Sequence, residues 1–184
     1  MQNKNILRKK YFSIRKKNYF DINQDFFNPL IKLFQKNYNK QKINLSIYYP
    51  SFFEVNVLKL FDINFKNKIN FFLPVLRGLN SMNFYKWNNK EVLQVNKFGM
   101  LEPFIKSNQV IPNIILVPLL SYDMKKNRLG YGKGFYDRYL KKYLTSHINI
   151  LTIGIAFSFQ KYNKLPVSNN DVKLNYILNE KGIF

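Results

Sequence analysis

Residues 114–118 read Ile-Ile-Leu-Val-Pro, four consecutive apolar side chains closed by a proline. A strand with one wet face alternates apolar and polar residues. An unbroken apolar run that stops at a breaker suits a strand buried on both faces. Such strands sit in parallel sheets with helices on either side. Other segments supply those helices. Lys4–Lys17 carries Ile6, Leu7, Tyr11, Phe12 and Ile14 as an apolar stripe at helical spacing. Asn18–Asp25 is a break. A second helix begins near Pro29, a favoured first helical residue, with Leu30, Ile31, Leu33 and Phe34 on its buried face. Ile43–Tyr49 reads as a strand ended by Pro50, Val57–Phe65 as a helix, and Lys68–Leu73 as a short strand stopped by Pro74. Asn83–Trp87 and Glu91–Val95 can pair as a hairpin across Asn88-Asn89. Phe135–Leu144 returns to helical spacing, and Ile148–Ala156 and Tyr176–Leu178 read as strands. The alternation predicts one α/β domain over residues 1–184, a largely parallel sheet flanked by helices.

The 18 Phe and 13 Tyr supply ample material for a core, which a disordered chain would lack. With no cysteine, disulfides, thiolate zinc sites and a cysteine nucleophile are excluded. That composition suits a reducing cytoplasm. No apolar run approaches the roughly 18–20 residues of a membrane span, and the basic N-terminus lacks the apolar stretch of a secretory signal. The expectation is a soluble, cytoplasmic monomer.

The net charge of +20 has two competing causes. One is a polyanionic partner such as nucleic acid. The other is codon composition: the basic residues are mostly Lys, with Arg only at 8, 15, 77, 128 and 138. The chain is equally crowded with Asn, Ile, Phe and Tyr, all with A/T-rich codons. Under either cause the charge attracts small anions.

The chemistry concentrates after the buried strand. A loop follows Pro118, then Gly130, Gly132 and Gly134 alternate, then a helix begins. Ligands of open α/β sheets sit beyond the carboxyl ends of strands. Alternating glycines let several backbone N–H groups face one anion, and the helix N-terminus adds positive potential. Arg128 and Lys133 bracket the glycines and can reach phosphate oxygens. Asp137, in the first helical turn, can hold Mg²⁺ beside them or simply favour the helix dipole. No Ser or Thr follows the Lys as a Walker A loop requires, and the third glycine is one residue early for a dinucleotide fingerprint. Lys4 and Arg8 lie one helical turn apart and share a face, either as a phosphate clamp or as a solvated surface.

The longer pattern Arg128-Leu-Gly-Tyr-Gly-Lys-Gly-Phe-Tyr-Asp-Arg138, preceded by Val117-Pro118, closely resembles the signature of the 5-formyltetrahydrofolate cyclo-ligase (methenyltetrahydrofolate synthetase) family. Lys4-Asn-Ile-Leu-Arg8 is similar to that family's N-terminal Lys-x-x-x-Arg. Ile47-Tyr-Tyr-Pro-Ser-Phe-Phe-Glu54-Val resembles its first strand and following Glu. Phe72-Leu-Pro74 with Met82-Asn-Phe84, and Lys97-Phe-Gly-Met-Leu-Glu-Pro103, resemble its middle segments. Gly154-Ile-Ala-Phe-x-x-Gln160 and Leu165-Pro-Val-x-x-x-Asp171 match its C-terminal part. Val57 stands where the family often has Thr, and Asn170 where it usually has His.

The resemblance implies a Rossmann-like fold of the NagB/RpiA/CoA transferase-like kind. It implies ATP- and Mg²⁺-dependent conversion of 5-formyltetrahydrofolate to 5,10-methenyltetrahydrofolate. Lys4, Arg8 and the run Arg128, Leu129, Gly130, Tyr131, Gly132, Lys133, Gly134, Phe135 and Tyr136 then hold ATP, with Arg128 and Lys133 at the chemistry. Tyr49, Glu54 and Trp87, together with Tyr131, Gly132, Lys133, Gly134 and Phe135, hold the folate. Asp137 and Asp171 hold the metal. Trp87 can stack on the flat folate ring or pack within its hairpin. His147 has no visible partner and reads as structural. Two rival readings remain. A basic RNA-binding module predicts steeply salt-dependent RNA binding without ATP turnover. An inactive family member predicts folate binding without cyclisation.

Overall fold

The computed structural model describes residues 3–38, 41–66, 68–146 and 149–184; His147 lies outside them. Helices α1 (Lys4–Asn18) and α2 (Asn28–Tyr38) come first. Strands β1 (Ile43–Ser46), β2 (Ile69–Arg77), β3 (Ser81–Lys86), β4 (Leu93–Val95), β5 (Leu101–Pro103), β6 (Ile114–Pro118), β7 (Ser121–Tyr122) and β8 (Arg128–Leu129) follow. Then come α3 (Phe135–Leu144) and strands β9 (Leu151–Ile155), β10 (Tyr176–Asn179) and β11 (Gly182–Ile183).

Seven strands form one sheet in the order β11-β10-β9-β6-β1-β2-β3. The pairs β1/β2, β1/β6, β6/β9 and β9/β10 are parallel. Both outer pairs, β2/β3 and β10/β11, are antiparallel. The apolar run 114–117 is the middle strand and is buried throughout. Its side chains alternate between two cores. Ile114 and Leu116 meet Leu30 and Phe34 of α2 on one face. Ile115 and Val117 meet Phe135, Tyr139 and Leu140 of α3 on the other. Burying each such aliphatic side chain is worth about 1.5–3 kcal/mol. Helix α1 covers neither face; Leu7 and Tyr11 pack with Leu120, Leu129 and Leu165.

Several expectations need correction. Pro74 does not stop β2. Trp87 N–H donates to Phe71 O, whereas Phe72 O accepts from Ile47, the residue after β1. The even positions of β2 therefore face β1, whose pairing ends at Ser46 with Phe72. The Pro74 nitrogen points into that vacated side, so no ladder bond is lost. Two residues on, the Leu76 N–H uses the same side to donate to Glu102 Oε2 at 3.2 Å. The hairpin across Asn88-Asn89 does not form; β3 pairs with β2 and β4 with β5. Both alternatives satisfy period-2 patterning, and the nearer turn at Gly78 (φ 60°) gives β3 a longer partner. Val57–Asp62 is a 3₁₀ turn, shorter than the helix expected over 57–65. On α1 the buried residues are Leu7, Tyr11 and Arg15, while Ile6 and Phe12 face solvent.

Candidate active site

Chain direction across the sheet reverses between β1 and β6: β2 and β3 lie to one side, β9 and β10 to the other. Such a switch point leaves a crevice beyond the strand ends. A cavity of about 680 Å³ opens there. Tyr48, Tyr49 and Glu54 line it from beyond β1, and Pro118 from the end of β6. Residues 128–138 contribute the whole glycine ribbon and the start of α3; Lys4 and Arg8 reach in from α1, and Asp171 from the C-terminal loop.

One end is organised around Glu54, which is buried. Its Oε2 accepts from the Ser51 N–H at 2.9 Å, and its Oε1 accepts from the Tyr131 hydroxyl. Arg15 Nη2 donates to that same hydroxyl oxygen at 2.7 Å. Arg15 also donates to Phe52 O and Leu119 O, at 3.1 and 3.2 Å. Burial raises the Glu54 carboxyl above its ordinary range; the positive field of Arg15 and the bonds from Tyr131 and Ser51 pull it back down. Burial and the adjacent Glu54 push the Tyr131 hydroxyl well above the usual phenol range, so it stays a donor.

The other end gathers donors that have no hydrogen-bond partner. Among the described residues, no backbone N–H of residues 130–134 donates to the protein itself. Gly132 (φ 98°) and Gly134 (φ 69°) supply left-handed conformations that turn the ribbon inward. Arg8 packs on Gly132 and donates from Nε to Gly130 O at 2.9 Å. An added Cβ at Gly132 would lie 3.1 Å from Arg8 Cζ. Arg128 is buried, and its Nη2 lies 2.7 Å from Asp137 Oδ1. That contact is close but out of line for a hydrogen bond, and both Nε and Nη2 lack hydrogen-bond partners. The Tyr136 hydroxyl is likewise buried and unpartnered. Such orphaned donors are rare unless something outside the chain completes them.

Two carboxylates border this end. Asp171 Oδ2 takes Lys4 Nζ at 2.5 Å and the Ser168 N–H at 2.6 Å. Burial opposes ionisation of Asp171, but the bonds from Lys4 and Ser168 prevail and hold its carboxyl below the usual range. Asp137 Oδ1 takes the Val172 N–H at 3.2 Å. Among the described residues, the contacts of these carboxylates all fall on Asp171 Oδ2 and Asp137 Oδ1, leaving the second oxygen of each without one. No group of three or more His, Cys, Asp or Glu side chains able to hold a metal occurs among the described residues. A cation here would therefore depend on oxygens from a ligand, the usual habit of Mg²⁺.

A family model described as the 5-formyltetrahydrofolate cyclo-ligase family matches residues 1–180. The chain belongs to that family. It is thereby an enzyme of the ligase class. A 5-formyltetrahydrofolate cyclo-ligase from Haemophilus influenzae is 30% identical over 145 residues, covering 76% of each chain. The solution structure of an Aquifex aeolicus 5,10-methenyltetrahydrofolate synthetase superimposes with a TM-score of 0.74 at 28% identity. It covers 98% of this chain and 91% of its own. A Mycoplasma pneumoniae 5,10-methenyltetrahydrofolate synthetase gives a TM-score of 0.72 at 26% identity, covering 97% and 99%. No described helix is long and apolar enough to cross a membrane.

Of the residues that the cyclo-ligase resemblance singles out, one does not reach the cavity. Trp87 is buried in the α2 core, donates from Nε1 to Glu91 O at 3.1 Å, and meets Phe61 edge-on. Trp87 therefore packs within the core, as its hairpin alternative has it, and offers no face for a folate to stack on. Phe98 lines the cavity, its ring 5.8 Å from that of Phe135. Lys133 Nζ stands 5.6 Å over the Phe98 ring. Arg15, Arg138 and Tyr136 also matter more than the pattern suggested. One signal was legible: in a lysine-rich chain, Arg8, Arg128 and Arg138 line the cavity and Arg15 braces it. Arginine's planar fork is not replaceable by lysine at such sites.

Proposed function

We propose that the chain converts 5-formyltetrahydrofolate to 5,10-methenyltetrahydrofolate using ATP, releasing ADP and phosphate. Names of the relatives support the folate conversion. The observation that carries the rest is the union, in one cavity, of a buried carboxylate with a cluster of orphaned donors. At about 680 Å³ the space falls within the range of ligand sites.

A formamide oxygen leaves poorly and N10 is a weak nucleophile. Transfer of the terminal phosphoryl group to the formyl oxygen makes the formyl carbon electrophilic. N10 attacks that carbon, closing the ring, and the oxygen departs as phosphate. Such chemistry needs alignment and charge neutralisation more than a covalent nucleophile. In this reading the free amides of residues 130–134 and the unpartnered Arg128 nitrogens grip phosphate oxygens. Lys4, Arg8 and Lys133 add positive charge. Glu54, whose ionisation Arg15 favours against burial, accepts hydrogen bonds from pterin N–H groups. Phe98 and Phe135 wall the flat ring, and Tyr49 lines the same end. Asp137 and Asp171, each with a spare oxygen, would hold Mg²⁺, which when bound neutralises developing phosphate charge. The reading takes the protein as a cytoplasmic monomer, since one chain closes the cavity.

The test mixes purified protein with 5-formyltetrahydrofolate, ATP and Mg²⁺ and follows methenyltetrahydrofolate absorbance. Product should form only with all three, and Asp137→Asn should lower kcat by about 10–100-fold. Folate binding without any ATP-dependent product would reject the reading.

A further inference from the structure

Two arginines hold the glycine ribbon by its carbonyls. Arg8 of α1 donates from Nε to Gly130 O at 2.9 Å and packs on Gly132. Arg138 of α3 repeats the arrangement at the far end. Its Nη2 donates to Lys133 O at 2.8 Å, and an added Cβ at Gly134 would lie 2.8 Å from its Nη1. A side chain at 134 would therefore displace the guanidinium as well as strain a backbone at φ 69°. Arg138 is itself held from two other sides. Its Nε donates to Asn80 O at 2.6 Å, in the turn between β2 and β3. Its Cζ sits 5.2 Å over the ring of Phe135. One fork thus ties the ribbon to the edge hairpin of the sheet. A lysine presents a single ammonium and cannot reproduce two donors at fixed angles.

A trans peptide is planar, with its C=O and N–H on opposite sides. Holding the Lys133 carbonyl therefore fixes the Gly134 N–H, which points away from the bonded guanidinium nitrogen. Among the described residues, that N–H donates to nothing in the chain. Helix α3 begins at the next residue, and Gly134 at its N-cap brings no side chain to accept from the first helical amides. A fixed N–H beside an uncapped helix start is a ready anion contact, and its direction matters as much as its presence. Resting on the ATP reading above, we propose that Arg138 is a positioning residue for the phosphate grip: it aims the Gly134 N–H at the terminal phosphates, while the β2–β3 turn holds it in place. Arg138 lines the cavity, but its Nε and Nη2 are already committed to carbonyls. It acts through the peptide and leaves direct phosphate contact to Arg128 and Lys133.

The test uses Arg138→Lys in the full chain. The variant keeps the charge on the cavity wall and loses the fork, and the exposed position should let it fold. Its KM for ATP should rise about tenfold, the loss expected for one hydrogen bond to a charged group, while its KM for 5-formyltetrahydrofolate stays within about twofold of wild type. Arg138→Ala should raise the KM for ATP by no more than Arg138→Lys does. A residue acting by charge alone would instead spare the lysine variant. A second measurement needs no turnover. Isotope labelling of glycine alone resolves the Gly134 amide by nuclear magnetic resonance. Tripolyphosphate should move that amide proton downfield in the wild type and much less in Arg138→Lys, while Gly154 and Gly182 keep their positions in both, as an intact fold requires. Wild-type turnover checks the ATP reading, and the amide shift checks the clamp even where turnover fails. An ATP KM in Arg138→Lys within about twofold of wild type would overturn the proposal. So would an equal rise in both KM values, a wild-type Gly134 amide indifferent to tripolyphosphate, or an equal shift in the variant.

Discussion

Arg15→Leu is the most informative single change. Arg15 is 1% exposed and bonds to acceptors on three different segments: Phe52 O, Leu119 O and the Tyr131 hydroxyl. Leucine fills part of the space and satisfies none of them. A buried acceptor left without a donor costs about 1–3 kcal/mol; Leu119 O keeps Gln160 Nε2 at 3.0 Å, so the loss falls on Phe52 O and on the Tyr131 hydroxyl. The substitution also removes the positive charge that opposes the burial of Glu54. Breaking a buried charge arrangement in this way costs about 3–5 kcal/mol, which for a chain of this size lowers Tm by about 6–20 °C. The pH dependence has a definite sign. The folded-state pKa of Glu54 lies above its ordinary value of 4.5. Its contribution to stability is present below that ordinary value and is lost as pH rises through the folded pKa. Loss of Arg15 raises the folded pKa further, so the damage should be larger at pH 7.5 than at pH 5. Urea denaturation at both pH values measures this. Adding Glu54→Gln to Arg15→Leu should recover part of the loss at pH 7.5. A variant within about 1 kcal/mol of wild type, or a loss independent of pH, would refute the electrostatic account.

Further outcomes follow from the same geometry. Gly132→Ala forces a Cβ onto a backbone at φ 98° and against Arg8, so the KM for ATP should rise about tenfold in steady-state assays with little change for the folate. Trp87→Phe loses the Nε1 bond to Glu91 O and should cost about 1–2 kcal/mol in denaturant unfolding, with folate KM within about twofold of wild type. In the wild type, folate KM should climb as pH falls through the raised Glu54 pKa, because a protonated carboxyl accepts fewer bonds; Glu54→Gln should abolish that slope.

Much of the fold was legible because local forces agree with global ones. The run 114–118 is buried on both faces because nothing in it alternates, and α3 occupies Phe135–Leu144 as its periodicity requires. The placement of Gly132 in the ribbon and of Asp137 in the first turn of α3 depends on near neighbours and could be read from spacing. Failures came where long-range partners decide. Pro74 continues a strand because β1 ends just short of it, a fact of register that no local pattern carries. Trp87 packs in the α2 core beside Phe61, with its backbone N–H held by Phe71 of β2, a long-range placement that a local hairpin pattern does not carry.

The sequence by itself determined the family, the parallel sheet and the glycine-rich ribbon before α3. Hydrophobic period and glycine placement act within a few residues, and they are written in order along the chain. Only the tertiary structure decided that Arg15, Tyr131 and Glu54, from positions far apart in sequence, form one hydrogen-bonded chain. It also decided that two exposed phenylalanines occupy a left-handed turn beside it. The physical reason is that burial, charge compensation and backbone strain are properties of a shared space, set by what packs around a residue once the sheet has formed.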